Sequence, residues 1–317
     1  MSKRLVSRRR FNAMGAALGL SVPAAATFDA LLNTSVLATD APKHTVTLRN
    51  GAVVPAVGQG SWHLGQGRHP ADLEEEALRT GISLGMALID TSGNYGSGRS
   101  EELIGHVLAG QRDRVFLVSK VEGNEVAGDG IAKACEASLA RLATNYLDLY
   151  LLHFPVPSIQ FAGVVSSFER LRAAGKIRAW GVSNFNTRQM EELFRVPDGD
   201  RCATNQVPYS LNNRGIERDL LPWCAQKNIP VMAYSPLGGD NNLVIRDRTL
   251  AQIGAAHGCS AAAVALAWVI RNGKIIAIPE SGAPAHVKEN AAALSLTLTP
   301  QEIEMLDKAF PGPSGAN

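Results

Sequence analysis

Short apolar segments alternate with longer segments of helical periodicity from residue 44 to residue 310. In the longer segments the apolar residues recur every three or four positions, which is typical of amphipathic helices. Continuous apolar segments are typical of parallel strands whose two faces are both covered, so the pattern predicts an α/β fold. The strand-like segments are 56–60, 87–90, 115–120, 147–153, 178–183, 203–207, 231–235 and 275–278, and the helical ones are 72–84, 100–108, 130–142, 159–174, 188–195, 217–228, 260–272 and 285–293.

Eight strand–helix units are the number that closes a (β/α)8 barrel, the TIM barrel. An N-terminal β-hairpin is predicted ahead of them, because the segments 45–49 and 52–54 flank the turn-forming pair Asn50-Gly51. Two extra helices, at 248–257 and 301–310, lie outside the eight units. No linker, repeat or low-complexity segment interrupts the pattern, so we expect residues 39–317 to form a single barrel domain.

A dinucleotide-binding sheet of the Rossmann type would show a different glycine pattern. Its G-x-G-x-x-G fingerprint needs a third glycine after Gly58 and Gly60, and His63 stands at that position. The barrel is therefore favoured over the Rossmann sheet.

The composition is that of an ordinary globular protein, with 317 residues, 45% of them hydrophobic and 19% charged. A formal net charge of +2 gives no indication of a nucleic-acid partner. The four cysteines are far apart and form no C-x-x-C pair, which argues against a zinc site and against a disulfide framework. We therefore expect no metal and no nucleic-acid partner, and a monomer.

The basic residues at the start of the chain form a pattern of their own. The twin-arginine sequence Ser7-Arg8-Arg9-Arg10-Phe11 precedes an apolar, Gly- and Ala-rich run at 13–26. An export leader has this order of a basic region, an apolar region and then small residues. The alternative is an amphipathic first helix of the fold. We interpret residues 1–38 as a twin-arginine-type leader, which would make the export machinery a partner. The expected location is the periplasm, or the cytoplasm if the leader is inefficient.

Polar residues close several of the apolar segments. Asp90, Lys120 and His153 end the second, third and fourth of them, and Tyr95 follows in a Gly-rich loop. Taken singly, Asp90 is explained as a turn cap, Lys120 as a chain reaching solvent and His153 as a core histidine. Taken together they argue for a site, because the carboxyl ends of barrel strands meet at one mouth.

These four residue types can together form a proton-relay site for the reduction of a carbonyl group. A tyrosine with a pKa near 10 is a poor acid or base, but we expect an adjacent lysine, held charged by an aspartate, to lower that pKa. A histidine beside them can bind a carbonyl oxygen through a ring N–H. The set lacks a hydride source, which a cofactor must supply.

On the basis of these residues and the motifs around them, the chain resembles the aldo-keto reductases. Within that family it resembles the bacterial methylglyoxal-reductase-like (2,5-diketo-D-gluconate-reductase-like) branch. The resemblance extends from about residue 46 to residue 310. It is carried by Asp-x4-Tyr-Gly at 90–96, Ser-Lys at 119–120, Leu-Leu-His at 151–153, Gly-Val-Ser-Asn-Phe at 181–185, Asn-Gln at 205–206, Ala-Tyr-Ser-Pro-Leu at 233–237 and the segment 214–224.

The resemblance implies a TIM-barrel reductase of small aldehydes and ketones, of the α-dicarbonyl type, that uses NAD(P)H. It implies Tyr95 as the general acid, Lys120 and Asp90 as its tuning pair, and His153 as the group that orients the carbonyl. It also implies a cofactor site. The residues expected there are Ser183, Asn184 and Gln206 at the carboxamide, Tyr234 on the nicotinamide ring, Ser235 and Leu237 at the pyrophosphate, and Glu280, Ser281, His286, Glu289 and Asn290 at the adenosine end.

The adenosine end departs from the family pattern. The family has Ile-Pro-Lys-Ser and an arginine six residues after the lysine, whereas this chain has Glu280 and His286 at those two positions. A carboxylate repels the 2′-phosphate of NADP by roughly 1–4 kcal/mol at a partly exposed site. It can instead accept hydrogen bonds from free ribose hydroxyls, so we expect the 2′-phosphate site to be altered and NADH to be used. The alternative is that Glu280 points to solvent.

The substrate end departs as well, because the aromatic residue that many relatives place shortly after the lysine is absent. Trp62 and Phe154 remain as candidate walls, although Trp62 is equally well explained as a core residue. An open pocket for small carbonyl compounds is expected. The alternative from another class is a non-catalytic, nicotinamide-binding regulatory or redox-sensing subunit built on the same barrel.

Overall fold

The computed structural model describes residues 44–156, 160–239 and 244–313. Residues 1–38, interpreted as a leader, lie outside them. Eight parallel strands form the central sheet in sequence order, each hydrogen-bonded to the next. They are β3 (Gln59–Gly60), β4 (Leu88–Asp90), β5 (Phe116–Val121), β6 (Leu147–Leu152), β7 (Ile177–Ser183), β8 (Asn205–Pro208), β9 (Val231–Tyr234) and β10 (Ile275–Ala277).

The sheet closes on itself next to its first strand. Val57 bridges Ala277 and Gly60 bridges Glu280, both in parallel. Three backbone hydrogen bonds support these bridges, among them Gly58 N–H to the Ala277 carbonyl at 2.8 Å. The predicted (β/α)8 barrel is therefore confirmed.

The predicted N-terminal hairpin is present as β1 (Thr45–Thr47) and β2 (Val53–Pro55), which pair antiparallel. Its turn contains Gly51 at a φ of +87°, a left-handed conformation that favours glycine. Val46, Leu48 and Val54 are buried in the same apolar cluster as the barrel residue Leu88, so the hairpin packs against the barrel.

Helices follow the strands as the sequence pattern predicts, and both extra helices are present. The bounds are Ala71–Ser83, Arg99–Leu108, Gly130–Arg141, Phe161–Ala173, Thr187–Phe194, Leu220–Gln226, Ala261–Ile270 and Pro284–Ala291, with the extra helices at Arg248–His257 and Pro300–Ala309. The segment predicted at 217–228 is α-helical from Leu220 to Gln226, with Asp219 at its N-cap, and a short 3-10 turn at Gly215–Glu217 precedes it. Among the described residues, no single helix is long and apolar enough to cross a membrane.

The twofold periodicity of the strands decides which residues face the barrel interior. In β4 and β5, Leu88 and Val118 belong to one apolar cluster, whereas their neighbours Ile89 and Leu117 belong to the other. Asp90 and Lys120 lie two residues after Leu88 and Val118, so their side chains lie on the same face of the sheet as those two and meet at its carboxyl end.

Candidate active site

A cavity of about 810 Å³ opens at the carboxyl ends of the barrel strands. Most of the side chains that the sequence singles out line it. They are Trp62, Asp90, Tyr95, His153, Phe154, Ser183, Asn184, Gln206, Tyr234, Ser235, Leu237 and Glu280. The strand-end argument therefore brings together residues that are up to 218 positions apart in the chain.

Lys120 lies behind Tyr95 and connects it to Asp90. Its Nζ lies 2.6 Å from Asp90 Oδ1, and it donates to the Thr91 carbonyl at 2.9 Å and to Tyr95 Oη at 3.1 Å. The Lys120 side chain is completely buried and that of Asp90 is 3% exposed. Gln206 Nε2 donates to the other carboxylate oxygen at 2.7 Å, so both oxygens of Asp90 are engaged.

The ion pair determines the charge state of Lys120. Burial alone would lower the pKa of Lys120, but the charge and hydrogen bonds of Asp90 and Tyr95 raise it above its ordinary value. Lys120 is therefore an ammonium group at neutral pH, aimed at the phenolic oxygen.

The expected lowering of the Tyr95 pKa is not found. Burial raises the pKa of Tyr95, and this outweighs the opposing charge and hydrogen bond of Lys120. The reason is that the phenolate would lose its hydration in the barrel mouth, while the negative charge of Asp90 also opposes it. Tyr95 therefore keeps its proton at neutral pH, which is the state that a general acid needs.

His153 faces the same cavity from the end of β6. Its ring lies edge-on to that of Tyr95, with 5.9 Å between the ring centroids and an angle of 74°. Its Nδ1 lies 2.5 Å from Glu122 Oε1, and its ring stacks on Phe154 at 4.6 Å. Burial alone would raise the pKa of Glu122, but the hydrogen bond and charge of His153 lower it.

A second wall of the cavity is a connected series of polar side chains on β7, β8 and β9. Tyr234 Oη donates to Asn184 Oδ1 at 2.9 Å, and Asn184 Nδ2 donates to Ser183 Oγ at 3.1 Å and to the His153 carbonyl at 3.0 Å. Ser183 Oγ donates in turn to the Gln206 carbonyl at 2.8 Å. The four residues expected at a nicotinamide carboxamide and ring therefore lie side by side.

Two residues of this wall have a left-handed backbone, although neither is glycine. Asn184 has a φ of +63° and Ser235 a φ of +48°. Non-glycine residues in this region are uncommon and concentrate at functional sites. Asn184 directly follows β7 and Ser235 directly follows β9. Ser235 and Leu237 line the cavity, as expected of a pyrophosphate-binding loop.

Glu280 does not point freely to solvent. Its two oxygens lie 2.8 Å from the backbone nitrogen of His63 and 2.9 Å from the Nδ1 of that residue. The Glu280 side chain is 25% exposed and that of His63 is 14% exposed. The carboxylate is therefore fixed at the edge of the cavity rather than mobile.

The other residues expected at the adenosine end are more dispersed. Ser281 and His286 line a smaller cavity of about 180 Å³, which His63 and Glu280 share with the main one. The Ser281 hydroxyl is within hydrogen-bond distance of the Ala283 backbone at 3.1 Å. Glu289 is exposed and Asn290 is buried, and neither lines either cavity.

Trp62 and Phe154 both line the cavity and are among the most exposed large hydrophobic residues described, at 53% and 46%. The core interpretation of Trp62 is therefore wrong. Each aromatic ring stacks on a histidine, Trp62 on His63 and Phe154 on His153. They can act as apolar walls for a substrate.

Two residues of the site were missed by the sequence analysis. They are His63, at the position where the glycine fingerprint fails, and Glu122, two residues after Lys120. The available signal was their position, since each is a titratable residue just past a strand end. Within the described parts of the chain, no group of three or more His, Cys, Asp or Glu side chains is arranged to hold a metal ion.

Comparison with known proteins agrees with this geometry. The Aldo/keto reductase family model matches residues 56–310. Methylglyoxal reductase YeaE of Escherichia coli is 50% identical over 265 residues, covering 83% of this chain and 93% of that protein. An aldo/keto reductase from Klebsiella pneumoniae, crystallised with NADP and acetate, has a TM-score of 0.83 and 44% identity and covers 86% of this chain and 98% of its own.

A second Klebsiella pneumoniae structure, an aldo-keto reductase in complex with NADPH, has a TM-score of 0.82 at 44% identity. It covers 86% of this chain and 97% of its own. The resemblance inferred from the strand-end motifs is confirmed, and this chain belongs to the aldo/keto reductase family.

Proposed function

We propose that this protein reduces small aldehydes and ketones, with α-dicarbonyl compounds such as methylglyoxal as the preferred class, and that it uses a nicotinamide nucleotide. The observation that carries the proposal is the contact of the buried Lys120 ammonium with Tyr95 Oη, 3.1 Å away, with Tyr95 and His153 lining the same cavity. A purely nucleotide-binding subunit would not need this arrangement.

The volume and the lining of the cavity are suited to such a nucleotide. Its volume is about 810 Å³, and one wall carries the amide of Asn184, the hydroxyl of Ser183 and the ring of Tyr234. We propose that Ser183, Asn184 and Gln206 bind the carboxamide, that Tyr234 supports the ring, and that Ser235 and Leu237 contact the pyrophosphate. When bound, the reduced nicotinamide supplies the hydride.

The residues of the site then have separate roles. Tyr95 donates its phenolic proton to the carbonyl oxygen as the carbonyl carbon is reduced, and water returns a proton to Tyr95 after the product leaves. Lys120, held by Asp90, stabilises the negative charge that develops on the phenolic oxygen. His153 orients the carbonyl oxygen, while Trp62 and Phe154 flank the entrance.

A Tyr95→Phe variant tests this assignment. Removal of the general acid should lower kcat by about 10²–10⁴-fold, while the variant still binds the nucleotide with unchanged affinity. The assay is a panel of aldehydes and ketones with NADH and NADPH in parallel. Retained turnover in Tyr95→Phe would refute the assignment, and a wild-type protein that binds nucleotide but reduces no member of the panel would favour the regulatory alternative.

We further propose that NADH is accepted as well as NADPH. The support is the fixed carboxylate of Glu280, which stands where the family has a lysine. The backbone nitrogen and the ring Nδ1 of His63 each contact one of its oxygens. A fixed carboxylate can accept hydrogen bonds from a 2′-hydroxyl but repels a 2′-phosphate. Fluorescence titration with both nucleotides tests this, and tenfold tighter binding of NADPH would contradict it.

We also propose export, on the strength of the sequence at 7–26. Replacing Arg8, Arg9 and Arg10 by lysine should retain the protein in the cytoplasm. Cell fractionation followed by activity measurement gives the result. If the unchanged chain is recovered only in the cytoplasm, the leader is inefficient and the export proposal fails without affecting the proposed reaction.

A further inference from the structure

We propose that Arg141 is a positioning residue, which supports the loop that carries Tyr95 and is itself held in place by the buried carboxylate of Glu101. This inference rests on the proposed function, because it concerns the general acid of that reaction. It goes beyond the proposed function by assigning the placement of Tyr95 to an ion pair of which neither member lines either cavity.

The loop 91–98, in which Tyr95 lies, has an unusual backbone. Three consecutive residues, Gly96, Ser97 and Gly98, are left-handed, with φ values of +58°, +59° and +95°. Ser97 is not a glycine, and a left-handed conformation at such a residue persists only where the surrounding structure holds it. The loop therefore depends on contacts from outside to keep Tyr95 in place.

Arg141 provides such a contact at both ends of the loop. It is the last residue of the helix Gly130–Arg141. A Cβ at Gly98 would lie 2.6 Å from Arg141 Cδ, and a Cβ at Gly93 would lie 2.9 Å from Arg141 Nη2. At both positions the absence of a side chain allows the arginine to lie against the backbone. Because Tyr95 stands between these two glycines in the chain, one side chain supports the loop before and after the general acid.

Glu101 fixes the arginine in this position. Arg141 Nε donates to Glu101 Oε2 at 2.7 Å, and Ser119 Oγ donates to Glu101 Oε1 at 2.6 Å. The Glu101 side chain is completely buried, whereas that of Arg141 is 29% exposed. A hydrogen bond between two charged groups is stronger than one between neutral groups, and both oxygens of the carboxylate are engaged. Glu101 is therefore a rigid anchor for Arg141.

The same carboxylate connects the loop to the strand that carries Lys120. Ser119, which donates to Glu101, immediately precedes Lys120 in β5. Glu101 thus contacts β5 through Ser119 and the loop 91–98 through Arg141, so it fixes the two elements that bring Lys120 Nζ to 3.1 Å from Tyr95 Oη. A displacement of about 1 Å in a reacting group can lower a rate about 10²-fold. Loss of the Arg141 support should therefore lower kcat by misplacing Tyr95, while the nucleotide-binding wall is unchanged.

Arg141→Lys tests the proposal, because a lysine can still pair with Glu101 but lacks the planar guanidinium that lies beside Gly93. We expect kcat for methylglyoxal to fall by about 10- to 10²-fold, while the Kd for the nucleotide, measured by fluorescence titration, is unchanged. Arg112→Lys is the matched control, since Arg112 pairs with the buried carboxylate of Asp148 at 2.8 Å and neither lines the cavity. The control should keep the wild-type kcat.

A double variant distinguishes misplacement of Tyr95 from a general loss of structure. Tyr95→Phe has no phenolic proton to place, so the addition of Arg141→Lys should lower its residual kcat no further, as for residues that act as a unit. Glu101→Gln keeps the shape of the buried side chain without its charge, and it should lower kcat in the same direction as Arg141→Lys.

A wild-type kcat in Arg141→Lys, or a further fall in the double variant, would overturn the inference. Failure of the proposed function is a separate result, because Tyr95→Phe would then keep its turnover. An inactive Tyr95→Phe together with a fully active Arg141→Lys would reject the positioning role alone.

Discussion

Lys120 Nζ lies 2.6 Å from Asp90 Oδ1 at the carboxyl ends of two adjacent barrel strands, and almost none of either side chain reaches solvent. The pair therefore serves the fold and the chemistry together. Removing one partner of a buried pair leaves an uncompensated charge, which costs about 3–5 kcal/mol of the free energy of unfolding. We expect Asp90→Asn to lose that much stability and to lose most of its kcat, as measured by chemical denaturation and by turnover.

Asp148→Asn is the matched control for this effect. Asp148 is also buried, at 6% exposure, and pairs with Arg112 at 2.8 Å, but it lies outside the cavity. It should lose stability while kcat of the folded fraction is unchanged. If Asp90→Asn kept full turnover, Lys120 would not need its carboxylate to act on Tyr95.

Gly98 shapes the loop that carries Tyr95. Its φ is +95°, and a Cβ there would meet the Arg141 side chain at 2.6 Å. Gly98→Ala therefore combines backbone strain with a clash behind the catalytic loop. We expect kcat to fall at least tenfold, with a loss of about 1–3 kcal/mol in stability from the strained conformation. Steady-state kinetics and thermal denaturation measure the two effects.

Gly110→Ala separates strain from clash. Gly110 also has a left-handed φ, of +74°, but a Cβ there meets nothing within 4 Å. It should lose stability with no change in kcat. Equal losses of kcat in both variants would mean that the position of Tyr95 does not depend on the contact between Gly98 and Arg141.

The four cysteines provide a prediction from their pKa values. Burial raises the pKa of Cys135, Cys202 and Cys224 to about 12, and it raises that of the less buried Cys259 as well. Because the thiolate is the reactive form, alkylation of the folded protein at pH 8 should be slow at all four and fastest at Cys259. Mass spectrometry of alkylated peptides, with urea-unfolded protein as the control, measures the rates.

Activity should survive this treatment, because none of the four cysteines lines either cavity. Rapid modification of Cys202 in the folded state, or inactivation that follows labelling of Cys259, would contradict the prediction. Alkylation of all four cysteines in the unfolded control would also agree with the structure, in which all four are free thiols.

The sequence predicted the barrel and the Asp90–Lys120–Tyr95 group for one physical reason. Parallel strands bring their carboxyl ends to one edge, so a polar residue that ends each apolar run must lie near the next. It did not predict which side chains would touch across the mouth. His63 and Glu280 are 217 positions apart and meet only because the barrel closes.

The charge balance within the site could not be predicted from the sequence either. Proximity to Lys120 argues for a lowered Tyr95 pKa, but the opposing effect of burial depends on packing that a linear pattern does not contain. The contact of Glu122 with His153 depends in the same way on the turn that follows β5. Contacts that depend on where the strands end can be predicted from the sequence, whereas side-chain rotamers and the desolvation of buried groups cannot.

Glu280 provides the sharpest prediction about the nucleotide. Glu280→Lys replaces a repelling carboxylate by a cation at the adenosine end, so the ratio of kcat/KM for NADPH to that for NADH should rise at least tenfold, which corresponds to about 1.4 kcal/mol. Glu289→Lys makes the same change of charge on an exposed residue that lines neither cavity, and it should leave the ratio unchanged. His63→Ala should give an intermediate ratio, because it frees the carboxylate without removing it. An unchanged ratio in Glu280→Lys would mean that Glu280 does not face the ribose, and that the histidines and Arg68 around the smaller cavity select the nucleotide instead.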